Sequence, residues 1–153
     1  TLFPYTTLFR SYRESKEKYY ELLNKGEMYN ITKGSQEEKD IEEITTTVRL
    51  NISNCLINLE EYELAIHESN KALKLKESFK GYYRLGTAYY LKKSYEKAQY
   101  AFLKAEGLAI GDEKKTVQEY LDKLKHVVKI KNQKKSQEQK SRISNLINHN
   151  LFQ

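Results

Sequence analysis

From Thr46 to Leu108 apolar residues recur three and four positions apart, the spacing that puts them on one face of an α-helix. The pattern breaks at Glu60-Glu61 and again at Lys93-Ser94. It predicts four helices, Thr46 to Asn58, Tyr62 to Leu75, Phe79 to Lys92 and Tyr95 to Leu108, joined into two antiparallel hairpins by tight connections. The two hairpins are copies of one another. A shift of 33 residues carries Ile52 onto Leu85, Leu56 onto Tyr89, Tyr62 onto Tyr95, Ala65 onto Ala98, Ala72 onto Ala105 and Leu75 onto Leu108. Small residues fall on small ones: Ser53 meets Gly86, as close crossing of two helix backbones requires.

The pattern continues at both ends. After Gly111-Asp112, a stop followed by an N-cap, Val117, Tyr120, Leu121, Leu124, Val127 and Val128 predict a capping helix that covers the last bare apolar face. Tyr12 to Tyr29 also reads as a helix, with Ser15 and Tyr19 in the phase of the second helix of a hairpin. The stretch from Asn30 to Thr45 reads as an insertion that loops out or lengthens its neighbours. The tail after Lys131 reads as a solvated helical extension or frayed end, with an apolar stripe at Ile143, Leu146, Ile147 and Leu151 as a last docking turn.

Composition narrows the picture. Of 153 residues, 6 are Gly and 1 is Pro, which favours helix throughout. Thr1 to Ser11 (TLFPYTTLFRS) resembles the in-frame translation of a sequencing adapter and is set aside. This removes Pro4 and Arg10, leaves 26 Lys and Arg against 21 Asp and Glu, and implies a chain cut at Tyr12. The expected organisation is 1–11 adapter-derived, 12–45 a partial first repeat plus insertion, 46–78 and 79–111 two repeats, 112–131 a capping helix and 132–153 a basic tail. There is no apolar run of the ~18 residues needed to cross a bilayer and no secretion signal, so the cytoplasm is the default. Cys55 is the one cysteine, and His67, His126 and His149 are scattered, so neither a disulfide framework, a metal centre nor a cofactor is expected. Cys55 reads as a small buried hydrophobe and His126 as a helix-face histidine. No group suited to catalysis stands out.

Tyr82, Leu85, Gly86 and Tyr89, followed by Ala98 and Phe102, reproduce the spacing of the tetratricopeptide repeat (TPR), with Tyr in place of Trp. The earlier copy departs from it, with Arg49 at the large aromatic position and Ser69 at the Phe position. The fold implied is an all-α TPR solenoid, a right-handed superhelix of helical hairpins. First helices line the concave side of such a stack, and three polar residues there lie outside the packing pattern. Asn51 and Arg84 are one repeat apart, and Lys80 stands four residues before Arg84 on the same helix face. Singly, Lys80 or Arg84 reads as ordinary solvation. Two cations and an amide aimed into one groove make a carboxylate receptor.

The stretches RLNISNCLINLEEYELAIHESNKAL and KGYYRLGTAYYLKKSYEKAQYAFLKA resemble the repeats of heat-shock co-chaperones, above all FKBP-type immunophilins. The resemblance implies that Asn51, Lys80 and Arg84 are three residues of a five-residue carboxylate clamp that holds a Glu-Glu-Val-Asp chaperone tail. The other two clamp residues would fall in the segment displaced by the adapter. It further implies a chaperone partner of the seventy or ninety kilodalton class and, upstream, a peptidyl-prolyl isomerase domain. The alternative is a generic TPR scaffold that binds an internal peptide or helix. Calmodulin, an acidic protein or a membrane surface at the Lys-rich tail is a secondary possibility beside ordinary solvation, whereas nucleic acid is not expected because the tyrosines fall at packing positions, and no membrane partner is expected for want of a long apolar run.

Overall fold

In the computed structural model, residues 4–26 and 33–151 are described, with side chains for 8–25 and 33–149. Six helices follow one another: α1 Pro4–Gly26, α2 Gln36–Asn58, α3 Tyr62–Leu75, α4 Phe79–Leu91, α5 Tyr95–Leu108 and α6 Asp112–Leu151. Each packs on the next, and α2 also touches α4, so consecutive first helices lie side by side. The chain is therefore a stack of α-helical hairpins, α2–α3 on α4–α5, with α1 before them and α6 after. The hairpins bend at a shared turn. Glu60 and Lys93, 33 residues apart, both adopt left-handed backbone (φ 62° and 65°). After each, the next N–H reaches five residues back, Glu61 to the Leu56 carbonyl and Ser94 to the Tyr89 carbonyl, both at 2.9 Å. This 6→1 bond satisfies a carbonyl that the helix end would leave orphaned.

The two hairpins fill their centres differently. In α4–α5 the Phe102 ring lies fully buried against Gly86, where an added Cβ would come within 2.9 Å of it. In α2–α3 the same two positions are Ser53 and Ser69, whose hydroxyls hydrogen-bond each other at 2.8 Å while Ser53 also donates to the Ala65 carbonyl. Both hydroxyls are buried and both are satisfied, so two small polar side chains occupy the place of one ring and one hydrogen. The core falls into two clusters. Leu23, Val48, Ile52, Leu56, Ala65 and Ala88 join α1 through α4, and Ala98, Phe102, Ala105, Val117, Leu121 and Leu124 join α5 to α6.

The element boundaries toward the N-terminus extend past the repeat pattern. Helix α1 already runs from Pro4, through the adapter-like residues. Residues 27–32, where the expected helix end at Tyr29 and the start of the insertion fall, lie outside the described residues. The second half of the insertion lengthens α2 back to Gln36. Ser35 caps it by accepting from the Glu38 N–H at 3.1 Å, and the Glu38 carboxylate accepts from the Gly34 N–H, a variant of the Ser-x-x-Glu capping box in which the carboxylate reaches the N–H just before the cap.

At the other end α6 extends for 40 residues, and its side chains from 129 to 149 are all exposed. The apolar stripe does not dock: Ile143, Leu146 and Ile147 are 56%, 62% and 52% exposed, and the Leu151 side chain lies outside the described residues. Geometry explains this. At ~1.5 Å per residue α6 is ~60 Å long and α5 only ~21 Å, so the stack ends before the stripe begins. The stripe is also turned by roughly a quarter revolution from the face that carries Val117, Leu121 and Leu124.

Candidate functional site

The open face of α2, turned away from α1 and α3, carries Thr47, Asn51, Asn54 and Asn58, each exposed or half-buried, while Ile52, Ser53 and Leu56 face the core. Helix α4 carries the corresponding positions one repeat later, Lys80, Arg84 and Leu91 exposed or half-buried and Thr87 buried with its hydroxyl donating to the Tyr83 carbonyl at 2.8 Å. Of the three expected site residues, Asn51 is half-buried on α2, Lys80 is exposed on the first turn of α4, and Arg84 is half-buried one turn further on. The α2–α4 seam runs between them. Arg84 and Cys55, the latter one turn after Asn51, lie within electrostatic reach of each other across it.

Two internal arginines meet opposite fates. Arg49 donates to the Glu68 carboxylate at 2.8 Å, with side chains 15% and 5% exposed, and Lys71 stands 3.9 Å from the same carboxylate. Arg84 has no acidic partner among the described residues, and its Nε is buried without a hydrogen bond. Burial pulls its guanidinium below the ordinary value. The nearby Tyr83, Cys55 and Tyr120 act in the opposite direction. A cation held in a half-dry setting by polar neighbours alone is a strong acceptor of an outside anion, because desolvation has already been incurred and the fork geometry suits a carboxylate.

Aromatic rings build the wall beside it. Tyr120 of α6 stacks on Phe102 (centroids 4.7 Å apart) and meets Tyr83 and Tyr90 edge-on at 5.8 and 5.5 Å. Tyr120 is thus a core residue on one side and a neighbour of Arg84 on the other. Cys55 is 4% exposed, and burial pushes its thiol above the usual value, against the pull of Lys16 and Arg84. That setting suits a packing residue and not a nucleophile. His126 is exposed.

The Arg49–Glu68 pair was not anticipated from sequence, although it left a trace there. Arg49 and Glu68 replace Tyr82 and Ala101 of the next repeat, and two matched departures from one repeat pattern mark a pair that has exchanged packing for charge. Two surface clefts lie elsewhere. One of about 220 Å³ is bounded by Lys93, Ser94, Lys97 and Lys131, and one of about 290 Å³ by Lys39, Glu42, Glu43 and Lys76. Among the described residues no helix is long and apolar enough to cross a membrane, and no group of three or more His, Cys, Asp or Glu could hold a metal ion.

Helical hairpins stacked in a 33-residue register, with a small residue at each crossing, give the chain the all-α solenoid fold of tetratricopeptide-repeat domains. Solved structures share the fold. The first TPR domain of human RPAP3 superposes with a TM-score of 0.55 at 17% identity, over 84% of this chain and 94% of that one. The C-terminal TPR-containing domain of a Plasmodium falciparum FK506-binding protein superposes at 0.53 with 22% identity, over 84% and 97%. No family model and no curated protein matches the sequence.

Proposed function

We propose that this domain is a protein–protein interaction module that binds the acidic C-terminal tail of a cytosolic heat-shock chaperone, with Asn51, Lys80 and Arg84 as a partial carboxylate clamp. The observation that carries the reading is Arg84. Of two half-buried arginines, Arg49 has a carboxylate on its own chain and Arg84 has none among the described residues, with a buried N–H left over. A cation in that state is stabilised by whatever anion enters the groove. Lys80 at the rim adds a mobile point charge, and Asn51 across the seam adds a neutral donor. Resemblance to immunophilin repeats supports the choice of a Glu-Glu-Val-Asp tail, and supports placing the module as the docking arm of a peptidyl-prolyl isomerase co-chaperone.

A Glu-Glu-Val-Asp peptide is titrated as free acid and as C-terminal amide, followed by tryptophan-free fluorescence of the tyrosine wall or by NMR. The free acid binds, and both amidation and Arg84→Ala weaken it by about tenfold, the effect of ~1.4 kcal/mol for one charge-assisted contact. Equal binding of acid and amide rules the clamp out.

A further inference from the structure

The net charge of the chain sits almost entirely at one end. Residues 129–153 hold six of the 27 Lys and Arg and one of the 21 Asp and Glu, so they carry five of the six net positive charges, and the helical stack before them is close to neutral. The part of this segment within α6, its last ~33 Å, stands clear of the stack, with every side chain from 129 to 149 exposed. Lys129, Lys131, Lys134, Lys135, Lys140 and Arg142 form no ion pair among the described residues. Helical phase spreads these six over more than half of the circumference. Toward the end of the helix Ile143, Leu146 and Ile147 form a stripe about 100° wide, with Lys140 bordering it on one side and Arg142 on the other.

We infer that this overhanging part of α6 lies along an anionic lipid surface, with Ile143, Leu146 and Ile147 entering the boundary between headgroups and acyl chains and the cations set among the headgroups. The exposed aliphatic residues need an apolar layer, which nucleic acid does not offer on its charged outer surface. The cations need anions, which a second copy of this segment, itself with five net positive charges, does not supply. Because the cations run round the helix instead of along one face, a groove with fixed acids meets only some of them, whereas a fluid headgroup layer rearranges around all. Lys140 and Arg142 can lay their aliphatic stems beside the stripe and carry their charged ends out to the phosphates. Among the described residues no helix is long and apolar enough to cross a membrane, but lying on one needs only a short apolar face and anchoring charge. The groove on α2 and α4 takes no part in this contact.

The full chain is sedimented with phosphatidylcholine vesicles containing about one third phosphatidylserine and with pure phosphatidylcholine vesicles, at about 0.1 M salt, where charges act over about 10 Å. The anionic vesicles are expected to bind it at least about tenfold more tightly, and about 0.5 M salt to release most of it. Ile143→Ser with Ile147→Ser, both at exposed positions that leave the fold intact, lowers affinity about tenfold, as does Lys134→Gln with Lys135→Gln and Lys140→Gln. The indole of a Leu146→Trp chain shifts its emission to the blue on anionic vesicles and not with soluble polyglutamate. If the double Ser variant binds as tightly as the parent, or if polyglutamate at equal charge competes as well as lipid, the segment is a polycation open to any acidic partner, a protein included, and the lipid surface is ruled out. If pure phosphatidylcholine binds equally well, charge does not select the partner and the anionic surface is again ruled out. If neither vesicle sediments the chain at millimolar lipid, α6 ends in a helix that is solvated and nothing more.

Discussion

At the scale of single residues, the molecule distinguishes charges that are paired inside from charges that wait. Glu68 is 5% exposed and is neutralised by Arg49. Removing one partner leaves a buried ion uncompensated, so Glu68→Ala is expected to cost about 3 kcal/mol in urea denaturation. Arg49→Tyr with Glu68→Ala, which installs the residue types of the following repeat at both positions, recovers most of that loss. Failure of the double variant to recover would show that the pair does more than fill space. Arg84→Ala, in contrast, removes a cation without an acidic partner among the described residues and is expected to change stability by less than about 1 kcal/mol while it weakens ligand binding. Cys55 supplies a further check at this scale: its buried, pKa-raised thiol should react with an alkylating reagent at neutral pH only as fast as the domain opens.

At the scale of elements, turns and crossings set the register. Glu60 and Lys93 hold left-handed backbone that costs a side-chain-bearing residue about 1 kcal/mol, so Lys93→Gly should raise stability by up to that amount, offset in part by chain entropy. A thermal melt with no upward shift would argue that the 6→1 bond already absorbs the strain. The glycine crossings differ in kind. A Cβ at Gly81 would meet the flexible end of Leu73 at 2.6 Å, and one at Gly86 the rigid ring of Phe102 at 2.9 Å. Despite the longer distance, Gly86→Ala is the more damaging, by about 2 kcal/mol, because a fully buried ring enclosed on all sides has nowhere to move. Gly81→Ala should be nearly neutral, since the leucine tip can rotate and alanine favours helix.

At the scale of the whole molecule, the stack is held by neighbour-to-neighbour contacts, and its last helix outruns it. Deleting residues 132–153 removes only exposed side chains among those described, so the denaturation midpoint should stay within the effect of about 0.5 kcal/mol. Cutting instead before Val117 exposes Phe102 and the Tyr120 contacts and should unfold the second hairpin cooperatively, as loss of a cap does in a linear array.

By itself the sequence determined the hairpins and their register, because helix periodicity and a 33-residue repeat are local patterns written in residue spacing, and so it put Asn51 on α2 and Lys80 and Arg84 on α4. It also carried, unread, the Ser35–Glu38 capping box that starts α2 ten residues before the repeat pattern begins. Only the tertiary structure decided which cations are spent: Arg49 and Arg84 look alike along the chain, and what separates them is whether a carboxylate from another helix comes within reach. The undocked stripe at Ile143 to Ile147 has the same origin. Its spacing promised a buried face, but burial needs a partner surface at the right height and angle, and the stack ends before α6 does.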